Sequence, residues 1–209
     1  MLQKIHIRRW LIAIAGGLTV SLLISFFSFS ADCAQIRESV FRLHILANSD
    51  SAADQALKLK VRDSVTAEAA GLFDAAQDRQ DAIDVARAHL PELQQAAEQR
   101  IKAEGYDYPV KVEIVNMYFT TRVYDSGTLP AGMYDALRVI IGKGAGHNWW
   151  CVVFPPICVP AATKDAKTLD DVLSAKDAKI VTQPQKYEIR FKAVEVAESV
   201  WHTVSGWFS

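Results

Sequence analysis

Little in this chain marks an enzyme, a metalloprotein or a nucleic-acid binder. It holds three cysteines and five histidines in 209 residues, and no basic block. His6, His44, His89, His147 and His202 show no paired spacing and no neighbouring carboxylate–cysteine cluster. Zinc sites draw ligands at short recurrent spacing, so no metal and no cofactor is expected. Lys4, Arg8 and Arg9 are the only charges in the first 31 residues. The remainder carries 20 basic and 24 acidic residues, a formal charge of −4, which argues against nucleic-acid binding. Gly142-Lys143-Gly144-Ala145-Gly146 lacks the Lys-Ser/Thr ending of a phosphate loop and the full dinucleotide spacing. It predicts a hairpin turn with positive φ instead. No small-molecule substrate is called for, and there is no internal repeat or low-complexity tract.

Charge is also missing from one long stretch. No charged residue occurs from Trp10 to Ala31, with Lys4, Arg8 and Arg9 before it and Asp32 after it. A basic flank, an apolar run and an acidic residue read as an export segment with its N-terminal side in the cytoplasm. The run approaches the roughly 20 residues that span a bilayer. Gly16, Gly17, Thr19, Ser21 and Ser25 dilute it, and Ser28 and Ser30 sit at cleavage spacing. A cleaved signal peptide and a retained anchor both stay open. A buried core helix is the poorer reading, because the run is apolar on all faces.

The body predicts an α+β fold: an antiparallel sheet of about four strands packed by helices. In Val40–Ala47, Phe41, Leu43, Ile45 and Ala47 fall on one face, while Val40, Arg42, His44 and Leu46 fall on the other. Asn48-Ser49-Asp50-Ser51 offers N-caps, with Asp54 at capping-box spacing from Ser51. Leu57, Val61, Val65, Ala69 and Leu72 then form a helical stripe. A second helix starts near Asp81, and Pro91 should kink it or begin another. Val110–Ile114, Tyr134–Ile141 and Trp149–Phe154 read as strands of an antiparallel meander. Residues 1–31 are the signal or anchor, 38–158 the domain, 159–185 a linker-like segment and 186–209 an amphipathic helix.

Gly146–Cys158 crowds two tryptophans, two prolines and two cysteines into one run. Export lets a disulfide persist, and Pro155-Pro156 can turn the chain to pair Cys151 with Cys158. Cys33 reads as a juxtamembrane thiol, with lipid attachment disfavoured by Asp32 before it. His147 lies four residues before Cys151, which raises a Cys–His envelope hydrolase as an alternative; it needs a free thiol and an orienting third group. Trp149 and Trp150 alternate faces on a strand. Either one is exposed for binding, of a protein or of cell wall, or both faces are covered. Asn48 and Asp50, at a strand-to-helix turn, either cap the helix or display a polar recognition surface.

Two blocks of residues carry a resemblance. Phe41-Arg42-Leu43-His44-Ile45-Leu46-Ala47-Asn48-Ser49-Asp50 leads into Asp54-Gln55-Ala56-Leu57-Lys58 and Val61-Arg62-Asp63. The second block runs from Leu129-Pro130-Ala131-Gly132 through Tyr134 to Asn148-Trp149-Trp150-Cys151 and Pro155-Pro156-Ile157-Cys158. Over roughly residues 38–158 the chain resembles the stage II sporulation protein R family. Met133 departs from the pattern, where an acidic residue is expected. The resemblance implies a non-enzymatic signal, secreted by the forespore into the space between forespore and mother-cell membranes. It also implies a partner there, the membrane-embedded aspartic protease that processes pro-sigma-E. The contact residues expected on this chain are Asn48, Asp50, Trp149 and Trp150.

Overall fold

A computed structural model describes residues 2–69, 71–156 and 168–205, with side chains from residue 9 onward. The apolar run forms the first part of one unbroken helix, α1, Leu2–Ser39. Its residues from Trp10 to Phe27 are largely exposed, and the helix is long and apolar enough to cross a membrane. The last turns differ. Phe29, Cys33 and Ile36 are buried against the body, so the helix expected to end near residue 31 continues into the fold.

The alternating stretch forms β1, Phe41–Leu46. The ladder continues with β2 (Val110–Phe119), β5 (Gly132–Ile141) and β6 (Asn148–Phe154), while β3 (Arg122–Tyr124) and β4 (Gly127–Leu129) form a separate two-stranded ribbon. The four-stranded order is β2-β5-β1-β6. This corrects the antiparallel expectation: the sheet is mixed, because β1 runs parallel to β5 and antiparallel to β6. It also replaces the meander. β1 inserts between β5 and β6, so the glycine-rich segment is a crossover past the end of β1 and not a hairpin.

One face of the sheet carries Phe41, Leu43, Ile45, Leu137, Val139 and Val153. Helices α2 (Ala52–Ala69), α3 (Arg79–Ala88) and α4 (Leu90–Ala103) cover it. Asp78 caps α3 by accepting from the Asp81 amide. Pro91 stands in the first turn of α4, where its missing N–H costs nothing. Leu57, Val61, Val65, Leu93, Ala97 and Ile101 meet the sheet as an apolar core. Each fully buried Leu or Val there contributes about 1.5–3 kcal/mol.

The other face is covered by the end of α1, the β3–β4 ribbon, α5 (Leu169–Val172), α6 (Ala175–Thr182) and α7 (Glu188–Ser205). Leu169, Leu173, Ile180 and Val181 are buried here, so the described part of the expected linker is helical and packed. α7 buries Phe191 and Val194 and turns Val196, Val200 and Trp201 outward. Phe29 stacks on Tyr187 and meets the edge of Phe191, and Arg37 pairs with Glu198 at 3.1 Å. Asp32 accepts from Lys176 at 2.5 Å.

Candidate functional site

The first signature block turns from β1 towards α2 at Asn48–Ser51, and the second crosses directly over that turn. Ala47 and Asn48 carbonyls accept from the Gly146 and Ala145 amides at 3.0 and 3.3 Å. The Asn48 side chain accepts from the Lys143 amide at 3.1 Å and donates to Asp54 Oδ2 at 2.9 Å. Asp50 Oδ1 accepts from the His147 amide at 2.6 Å and also pairs with His147 Nδ1. A buried lysine, Lys58, reaches up from α2 to donate to the His147 carbonyl at 2.8 Å and to Gln55 Oε1 at 2.6 Å. Gln55 in turn donates to the Ser49 carbonyl at 2.9 Å.

This network explains why those residue types stand at that spacing. The crossover has few strand partners, so its amides and carbonyls need side-chain partners. Gly142 adopts φ +57°, and a Cβ there would strike the Asn48 side chain. A Cβ at Gly146 would strike the Ser49 carbonyl. The glycines therefore allow the crossover to lie flat on the turn. Ser51 caps α2 by accepting from the Asp54 amide at 3.1 Å.

The electrostatics follow from these bonds. Hydrogen bonds from Ser49, then Asn48, hold the Asp54 carboxyl below its ordinary value. The His147 side chain and amide do the same for Asp50. Burial lowers the Lys58 ammonium from its usual range, with Asp50 opposing that shift.

Asn48 and Asp50 are therefore brought together, with Asn48 half-buried inside the network and Asp50 exposed at its rim. The tryptophans separate as their alternation requires. Trp149 packs on the helical core under the Arg62 guanidinium, which lies 4.5 Å from the ring centroid. Trp150 packs on the opposite face, stacked on His44 at 4.1 Å with the edge of Phe119 at 4.7 Å. Both are half-buried, and both faces of β6 are covered.

Cys151 is buried and disulfide-bonded, and Cys33 is a buried free thiol. Cys158 lies outside the described residues. With Cys151 bonded, the His147–Asp50 pair has no thiol to activate at that position. Among the described residues no cluster of three His, Cys, Asp or Glu could hold a metal. The turn was legible in the sequence, and Gln55 and Lys58 stood in its signature block, but their part in fastening the crossover was not. Nor was the full burial of Arg42.

The chain is a mixed α+β domain on an apolar helix, with its signature polar residues used to fasten a crossover. Residues 37–164 match the family model for stage II sporulation protein R, and the chain belongs to that family. The chain is also similar to Stage II sporulation protein R of Bacillus subtilis (strain 168), at 39% identity over 123 residues, covering 59% of this chain and 55% of the relative. The chain thus matches little more than half the length of that relative. No solved structure gives a significant match. Family membership gives the chain a role in sporulation, and the apolar helix is consistent with export or membrane anchoring.

Proposed function

We propose that this chain is the forespore's signal for pro-sigma-E processing. It acts in the space between the two membranes by touching the membrane-embedded aspartic protease, without catalysing a reaction itself. Family membership carries this reading. The bonded state of Cys151 supports the non-catalytic part, since it removes one candidate nucleophile. Cys158 is proposed as the partner of Cys151, because Cys33 is free and the chain has three cysteines.

The contact surface is the rim of the crossover. Asp50 presents its carboxylate there, and Trp149 and Trp150 present their accessible edges, while Asn48 holds the turn in shape. The signal stays tethered, with α1 retained as a single-span anchor. Phe29 is 2% exposed and stacked on Tyr187, so cleavage after Ser30 or Ala31 would strip a core residue from the folded body. The domain would then stand directly on the membrane face.

Co-expression with the protease and its precursor substrate in a non-sporulating host tests the function. Precursor processing should appear only when this chain is present. Processing without it, or none with it despite folded protein in the membrane fraction, contradicts the reading. Intact mass of the membrane-extracted chain tests the tether: a species starting before residue 10 is expected, and one starting after residue 30 rules it out.

A further inference from the structure

β1 is an inner strand, and Arg42 on it is fully buried on the face away from α2–α4. Its Nη2 donates to the Tyr124 hydroxyl, but Nε and Nη1 have no acceptor. Rings enclose the guanidinium: Phe119 at 4.0 Å, Tyr134 at 4.7 Å and Tyr124 at 5.8 Å to their centroids. Among the described residues no carboxylate pairs with it, and the other cation that acts on it is Arg122, of like sign. An arginine stays charged in proteins, and a buried charge is ordinarily paired. Aromatic faces offset part of the cost of desolvation but supply no counter-charge.

The neighbours have the same bias. Arg122 Nε lacks an acceptor, and its guanidinium lies 5.4 Å from the Trp150 ring. His44, two positions along the same face, has neither ring nitrogen in a hydrogen bond of ordinary geometry. Burial pushes its imidazole down to about 4, with the Asn148 side chain opposing, so it is neutral near pH 7. Among the described residues, the surroundings of Arg42 therefore hold one sealed cation, unused donors and no paired acid.

Its cover is the β3–β4 ribbon, which supplies Tyr124 and Arg122. Each strand has three residues, and a two-stranded ribbon of that size is marginal by itself. Its other side, at Val123 and Thr128, lines an open groove of about 380 Å³ whose far wall is Phe191 and Lys192 of α7. β3 therefore has open space on its outer side, where Val123 is exposed, while β4 is held by α6, with Gly127 close against Val181.

We propose that the ribbon covers a binding site for a single carboxylate, with Arg42 as the cation that receives it. A flat monoanion matches one sealed positive charge between aromatic rings. The carboxylate is either a free small acid or an acidic side chain of a protein partner.

The test uses the full chain in detergent micelles. Thermal midpoint and tryptophan fluorescence are followed in sodium acetate against sodium chloride at equal ionic strength. A second arm compares the blocked peptide Ala-Glu-Ala with Ala-Gln-Ala. A carboxylate should raise the midpoint by roughly 3–5 °C at tenfold excess over its Kd. A response to acetate identifies a free acid, and a response to the glutamyl peptide alone identifies a partner's side chain. Arg42→Met should abolish the response while its own midpoint in chloride equals or exceeds that of the parent. Should Arg42→Met not fold, Arg42→Lys, which keeps the charge, should still respond with weaker affinity. No difference between either carboxylate and its control overturns the proposal, as does a response undiminished in Arg42→Met.

Discussion

The two faces of the sheet solve the same covering problem in different ways. On the first, β1 presents Phe41, Leu43 and Ile45 to three helices, and they meet in a mostly apolar core. On the second, the same strand presents Arg42 and His44 to a short ribbon, the end of α1 and three C-terminal helices. The first face follows the ordinary rule that apolar alternation is buried. The second buries a cation that no carboxylate among the described residues pairs with, and an imidazole whose ring nitrogens lack an ordinary hydrogen bond. Alternation alone therefore cannot say which strand residues meet water; that depends on what the rest of the chain lays over them.

The sharpest contrast should come from truncating one side chain on the first face. Leu43→Ala should cost about 2–5 kcal/mol, because tightly packed helices cannot collapse into the gap. Chemical denaturation of the detergent-solubilised chain measures this, and a loss under about 1 kcal/mol would mean the first face is not the rigid one.

The second face should instead be sensitive to pH. His44 has a folded value near 4 against an unfolded value near 6.5, so between these the unfolded chain binds more protons. Stability is complete above about pH 6.5 and falls as pH drops towards 4, by on the order of 3 kcal/mol. His44→Gln should flatten that window in a stability–pH series. An unchanged slope would show that His44 has a partner in solution.

The crossover network comes next in size. Lys58→Met leaves the His147 carbonyl without its donor, and should cost about 1–3 kcal/mol. It should also speed amide exchange at residues 143–147. If exchange there is unaltered, the lysine does not hold the crossover.

Asp50→Asn should have the smallest effect on stability, because the group is exposed and its pair with His147 is screened. Its depressed carboxyl adds stability only above the ordinary carboxylate range, and loses it as pH falls through the lower folded value. Under the contact model this quiet variant should nevertheless reduce precursor processing in the co-expression host. Normal processing by folded Asp50→Asn would remove Asp50 from the proposed surface.

Much of the first face was legible in the sequence. The alternation of Phe41, Leu43 and Ile45, the stripe of Leu57, Val61 and Val65, and the start of a helix at Pro91 are local signals, and each element forms where it reads. Strand order was not legible, because the insertion of β1 between β5 and β6 is a pairing across about 94 residues to β5 and more than 100 to β6. That insertion turns the expected hairpin at Gly142–Gly146 into a crossover. It also gives Asn48 and Asp50 a fastening role beyond capping. Arg42 was hidden for a related reason: an arginine on the polar phase of a strand reads as solvent-facing until α1 and α5–α7 are laid over it. The tryptophans were half legible, their opposite faces given by period and their covers not.

The most direct test of the contrast between a rigid face and a loosely covered, charge-bearing one is native-state hydrogen exchange on the full chain in micelles. Amides of β1, β5, α2 and α4 should exchange only through global unfolding. Those of Arg122–Tyr124 and Gly127–Leu129 should exchange through a local opening of much lower free energy, and should slow when a carboxylate probe is added. Protection of the ribbon equal to that of β1, unaltered by carboxylate, would contradict the account.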